Sequence, residues 1–293
     1  MLYLALAIVC GATYSIFFKL FACRGLNSLQ AIAFNYLTAF VLGLIVDGVS
    51  DGGAVLPSSV GSWVVAVGLG ATFAGAFVVM SRSTVLSGVT LTTVASRVSV
   101  LIPVVCSYLL LPDGNEPRWG AVATILAAMV LMFVPRRTEE KKERNHVGLV
   151  GALCILGVWL LFGVNNFGLK WSQSVLIAPE ESAMFSAVIF LFATLFSTLV
   201  WIVGDRNRGV KSVKVDLRSA LGGVVLGLAN FCVTWGMLRG LAEVPASVFF
   251  PVYHCTIVAL VAVIGTIVFR ERLSVVQWLG VGVAALGIVM FFV

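Results

Sequence analysis

The chain has 293 residues, 60% hydrophobic and 11% charged, with a formal net charge of +6 and a mean hydropathy of +1.08. Soluble domains carry about 25% charged residues, so the composition excludes a water-soluble enzyme, a nucleic-acid-binding domain and a disordered chain. The basic excess, 19 Lys and Arg against 13 Asp and Glu, lies in short clusters between long apolar stretches, where it sets orientation in a bilayer.

A spanning helix needs about 20 predominantly apolar residues. Barrel strands alternate polar with apolar, whereas these stretches are apolar all round, so an all-α membrane protein is expected. Ten transmembrane helices follow in chain order: Leu2–Ala22, Leu29–Val46, Trp63–Met80, Val89–Leu111, Arg118–Val134, Val147–Asn166, Ser182–Val203, Ser219–Leu238, Pro245–Phe269 and Val275–Val293. They leave nine connections and no room for a soluble domain. The first begins at Leu2 without a basic n-region and is read as a retained helix, not a signal peptide. Trp63, Trp119, Trp171 and Trp278 near span ends read as interfacial anchors. The glycines Gly223 and Gly227, and Gly68 and Gly75 around Ala71, read as close helix contacts. Six cysteines (Cys10, Cys23, Cys106, Cys154, Cys232, Cys255) form no C-x-x-C pair and are expected as small apolar side chains, not as disulfides or metal ligands.

Fifteen Lys and Arg fall in one set of alternating connections. Only Arg118, Lys170 and Arg239 fall in the other, and Arg97 stands inside a span. The bias places the charged connector Pro135–His146 in the cytoplasm and both termini outside it. Trp119 to Val134 can be laid on Trp278 to Val293 with a shift of 159, matching Trp119 to Trp278 and Phe133 to Phe292. Residues 1–134 and 147–293 then become two five-helix repeats joined by the linker 135–146. Five is odd, so the repeats are inverted in topology, an arrangement that builds a midplane site in many secondary transporters.

Short connections, two five-helix halves, and Phe269-Arg270-Glu271-Arg272-Leu273 before a Trp- and Gly-rich last helix resemble the drug/metabolite transporter superfamily, in its EamA-like branch. Glu271-Arg272 and Gly280, Gly282 and Gly287 match in the second half. Leu111-Pro112-Asp113-Gly114 departs from the pattern in the first half, and Asp47–Ser62 lacks the basic residues that many members carry there. The resemblance implies a ten-helix transporter fold and small organic metabolites as substrates.

Ionisable groups inside spans are costly and are functional candidates by default. Arg97 stands eight residues into the fourth span, about 12 Å deep at 1.5 Å per residue. Its insertion costs about 2.5–3.5 kcal/mol on translocon scales. No acid lies within one turn of it, so its partner comes from another helix, water or a ligand, and a guanidinium suits a carboxylate or phosphate. His254 lies at nearly the same depth in the ninth span, since Arg97 shifts onto Thr256; its ordinary pKa of about 6.5 suits a proton carrier. Structural ion pairing or interhelical hydrogen bonding explains either residue equally simply. Pro103 is expected to interrupt the fourth span, and Pro245 and Pro251 the ninth, lining a cavity with Tyr253 beside His254. Tyr14, Asn35, Trp159, Asn166, Asn230 and Trp235 complete the substrate-binding candidates, with Thr38, Asn165, Ser186 and Thr234 as lesser ones. Glu180 and Glu181 suit the helix N-terminus that follows Pro179.

These residues point to a secondary transporter of a small organic metabolite (amino-acid-like, nucleobase-like or drug-like), proton- or gradient-coupled, in the cytoplasmic membrane. Its expected partners are that small molecule and the lipid bilayer, not nucleic acid, with the chain as monomer or homodimer and no metal or cofactor. A divalent-cation carrier or channel is the alternative, but cation sites want carboxylates at depth and here the deep charge is positive. An intramembrane enzyme would need an H-E-x-x-H or paired aspartates, and no P-loop for ATP is present. A reporter active only in the cytoplasm, fused to either terminus, is expected to stay silent; strong activity would reverse the orientation.

Overall fold

The computed structural model describes residues 1–12, 27–49, 59–87, 89–111, 116–132, 148–207, 215–268 and 274–291. Tyr14, the linker 135–146, Pro112 to Gly114 and Phe269 to Leu273 lie outside the described residues. Every regular element among the described residues is helical. In chain order they are α1 (Leu2–Ala12), α2 (Ser28–Val49), α3 (Val60–Ser87), α4 (Val89–Val98), α5 (Leu101–Leu110), α6 (Trp119–Met132), α7 (Leu149–Trp171), α8 (Ser182–Asn207), α9 (Leu217–Glu243), α10 (Ala246–Val268) and α11 (Val275–Val289). A π-turn at Ser172–Leu176 prolongs α7, and a 3₁₀ turn at Pro179–Glu181 leads into α8.

Seven helical stretches are long and apolar enough to cross a membrane, with α4 and α5 counted as one, and α1, α6 and α11 are shorter apolar helices. The fold is an all-helical membrane fold, and these ten apolar segments fall on the ten expected spans. In hydrocarbon the backbone must satisfy itself, and at helix ends polar side chains supply the missing partners. Glu181 accepts a hydrogen bond from the Ala178 amide at 2.8 Å, capping the turn before α8. Asp216 accepts from the Ser219 hydroxyl at 2.5 Å and the Ser219 amide at 3.0 Å, capping α9. These bonds, the hydroxyl's first, hold the Asp216 carboxyl below its ordinary range. Its cap is therefore intact above that range and is lost as pH falls through the lowered value.

The chain divides into two compact units: Met1–Val78 with Gly168–Glu243, and Val79–Phe167 with Val244–Val293. Each takes helices from both expected five-helix repeats. In the first unit α2 packs on α8 and α9. A Cβ on Gly43 would stand 2.6 Å from Ala187 Cβ, and one on Gly204 3.3 Å from Leu29, so α2 and α8 run antiparallel. The core here is Ile32, Tyr36, Ala39, Phe77, Phe190, Ala193 and Phe231, and the Tyr36 hydroxyl donates to the Phe73 carbonyl at 3.1 Å. In the second unit α6 packs on α11, again antiparallel. Gly280 meets the Met132 amide at 2.9 Å and Gly287 the Ile125 side chain at 2.8 Å, measured from an added Cβ. Arg118 donates to the Met290 carbonyl at 3.1 Å. These two segments are the pair that the 159-residue shift superimposes.

Gly223 and Gly227 do carry a close contact: an added Cβ would run into the Ala31 carbonyl at the first and stand 2.5 Å from the Asn35 carbonyl at the second. Gly68 and Gly75 do not, because nothing lies within 4 Å of a Cβ at either position. The crowded glycine of that helix is Gly70, 2.6 Å from Phe192 Cβ. Periodicity alone gives no sign of which small residue faces a partner. Gly227→Ala should therefore destabilise the purified protein by about 1–3 kcal/mol through overpacking against backbone. Gly68→Ala should be neutral or stabilising by up to about 1 kcal/mol. Melting of both variants in detergent checks the contrast, and equal melting temperatures would contradict the α2–α9 contact.

Candidate functional site

The fourth span is broken, and the break sits beside Arg97. Pro103 is the third residue of α5 and is not itself the point of interruption, which falls at Ser99–Val100 between α4 and α5. Without an N–H at Pro103, the Ser99 carbonyl lacks its usual i+4 donor and accepts from Ile102 N at 3.0 Å. Val100 N likewise donates to the Arg97 carbonyl at 3.2 Å, so the chain tightens into 3₁₀-type bonds. Ser96 and Ser99 bend it further by donating back to the Thr93 and Ser96 carbonyls at 2.8 and 2.6 Å. Arg97 occupies the last turn of α4, where the negative helix end favours a cation. In the ninth span Pro245 precedes α10, its carbonyl accepting from Phe249 N at 2.8 Å. Only Pro251 lies inside the helix.

The structure brings Arg97 to His254, Nη1 to Nδ1, at 3.4 Å. On the other side of the ring the Asn166 amide of α7 stands 3.3 Å from Nε2. His254 is 4% exposed. Tyr253 meets its ring edge-on at 5.0 Å and itself stacks on Phe249 at 6.1 Å. The chemistry of the three side chains fixes the proton positions. A guanidinium only donates, so Nδ1 must be bare and Nε2 must carry the hydrogen. Asn166 then satisfies Nε2–H by presenting its amide oxygen, the two amide orientations being isosteric. Gly163, one turn before Asn166, lets α7 close on α5: an added Cβ would stand 2.7 Å from Ile102 Cβ. Trp159 lies half-buried two turns before Asn166 on the same side of α7. Asn165 is buried, and its amide oxygen has no hydrogen-bond partner among the described residues.

The first unit holds a second polar cluster. Asn230 of α9 donates to Asn35 Oδ1 of α2 at 3.2 Å, both buried. Asn35 Nδ2 and the indole N–H of Trp235 have no partner among the described residues. Trp235 stacks on Phe231 at 6.1 Å. Thr38 and Ser186 spend their hydroxyls on carbonyls one turn back, Phe34 at 2.8 Å and Ser182 at 2.7 Å. Lys170, read as a connection residue, is only 3% exposed. It donates to Gln173 at 2.9 Å and to the Leu241 carbonyl in the last turn of α9 at 3.4 Å. The signal that could have placed it in a helix is the apolar run Val175-Leu176-Ile177 that follows.

Residues 173–293 match the EamA-like transporter family. An uncharacterized protein of Haemophilus influenzae is 25% identical over 288 residues, 95% of this chain and 93% of its own length. A solved crystal structure at 15% identity superposes with a TM-score of 0.79, covering 99% of this chain and 95% of the other; that likeness concerns the fold alone.

If the imidazole holds Asn166 as described, His254→Leu and Asn166→Leu should couple. Thermal melts of the single and double variants are expected to show about 0.5–3 kcal/mol of interaction energy. Additive effects would mean that the two side chains do not share a bond.

Proposed function

We propose that the chain is a gradient-driven transporter of small organic metabolites of the drug/metabolite type. It lies in the cytoplasmic membrane with both termini outside the cytoplasm, and 1–134 and 147–293 are inverted repeats. Antiparallel pairing of equivalent helices, the second with the seventh span and the fifth with the tenth, supports the repeat. The match to a transporter family over residues 173–293 supports the class of activity.

The observation that carries the mechanism is the Arg97–His254–Asn166 chain at a broken helix. Broken helices supply substrate and ion sites in transporters, because irregular backbone is tolerated there only where protein or water satisfies it. Besides α4 and α7, which bring Arg97 and Asn166 to His254, α10 packs on α5, α6 and α11, and these three carry no acidic or basic residue. Among the described residues, Arg97 is thus the charged group seen against His254. An anionic or zwitterionic substrate that engages the guanidinium draws it from Nδ1, and the bared nitrogen can then accept a proton. A proton on Nδ1 in turn removes the acceptor that holds Arg97 and releases it to the substrate. Each event favours the other by the same free energy, which is the requirement for coupled movement of anion and proton. Among the described residues no carboxylate is seen against Arg97 or His254, whereas a divalent-cation carrier would hold its ion with several.

A thermal-shift screen with amino acids, nucleobases and organic acids identifies a ligand to load, and proteoliposome flux then tests the residues. Arg97→Lys should weaken uptake of a carboxylate, since an ammonium lacks the two-pronged contact. Arg97→Leu should abolish uptake with the melting temperature retained. His254→Gln keeps an acceptor for Arg97 but no titratable proton, so it should bind and lose the pH dependence. Full flux through Arg97→Leu would reduce Arg97 to a structural residue. An unchanged pH profile in His254→Gln would remove His254 from coupling.

A further inference from the structure

Cys10 of α1 and Cys232 of α9 are far apart in sequence, yet the packing of these two helices brings them together. The Tyr3 ring meets Trp235 edge-on at 5.7 Å. A Cβ on Gly236 would stand 3.1 Å from the Tyr3 carbonyl and 3.5 Å from Ala7 Cβ. Further along, the Met1 amino group pairs with Glu243 at 2.6 Å, so the helices run antiparallel at close quarters. About one turn onward from Ala7 and one turn back from Gly236 come Cys10 and Cys232. The register therefore sets the two thiols facing one another, close enough to interact, and both are free and half-buried.

We propose that Cys10 and Cys232 form a redox-closable clasp between α1 and α9. In the closing step two S–H bonds break and one S–S bond forms. Two protons and two electrons pass to a lipid-soluble oxidant of the quinone class, which becomes the quinol; a dithiol reverses the step. The membrane-embedded position favours such an oxidant over a water-soluble one. Gly236 matters because a disulfide needs Cα atoms about 4.4–6.8 Å apart, a distance that larger residues at the crossing would prevent. Under the 159-residue shift the pair falls on Leu169 and Phe73, so the equivalent positions carry no thiols. The clasp is a property of α1 and α9 alone and does not depend on what the protein carries.

The test counts thiols in the full chain reconstituted in phosphatidylcholine vesicles, before and after a short-chain quinone and, separately, copper(II)-phenanthroline. After denaturation and maleimide labelling, six cysteines should react in the untreated protein. Two fewer should react after oxidation, with Cys10 and Cys232 peptides joined in the mass spectrum and all six restored by dithiothreitol. Cys10→Ser and Cys232→Ser should each lose none, whereas Cys154→Ser should still lose two. Wild-type protein that keeps six reactive thiols with both oxidants would overturn the clasp. So would a joined pair containing any other cysteine, or a loss of two that persists in Cys10→Ser.

Discussion

A polypeptide in hydrocarbon has no water to accept its backbone hydrogen bonds, and one missing N–H at Pro103 organises the polar site of the second unit. The Ser99 carbonyl, deprived of its ordinary donor, takes one from Ile102, and the helix that would have run straight through is divided into α4 and α5. The division gives Arg97 a helix end to sit on, and a carboxy-terminal end is the one that tolerates a cation. On the opposite helix Pro251 removes a second donor three residues before His254. The polar side chains and the irregular backbone thus come together for one reason: each compensates for what the other leaves unsatisfied.

Much of this was legible in the primary structure. The ten apolar segments follow from length and composition, since a bilayer imposes a minimum on both. Arg97 and His254 stand out because ionisable groups are rare at that depth, and their meeting follows from a repeat visible in Trp119 and Trp278. Hidden from sequence were the features that depend on which way a helix is turned. Gly70 and Gly68 differ by two positions, yet only Gly70 touches a neighbour. The break came four residues earlier than Pro103, because a proline disturbs the carbonyl one turn behind it and not its own position. Lys170 looked like a connection residue until the end of α9 supplied a carbonyl for its ammonium.

The two polar clusters differ in kind. Arg97, His254 and Asn166 make a chain in which one proton's position decides every bond, so a change at one end is felt at the other. Asn35 and Asn230 make a single bond between two neutral amides, with no group that can gain or lose charge. Buried amides between packed helices commonly serve as glue, and the close approach of Gly227 to the Asn35 backbone is consistent with that duty.

That amide pair has a mechanical consequence. Sliding α9 along α2 by a single turn would part the Asn230–Asn35 pair, while one of the two glycine contacts would receive Ser219 or the bulky Phe231. Rotation about either axis incurs the same two penalties. The helices are therefore keyed in both translation and rotation, like a shaft in a slotted hub. Whatever rearrangement the protein undergoes, α2 and α9 travel as one strut, and the bending must be taken up elsewhere.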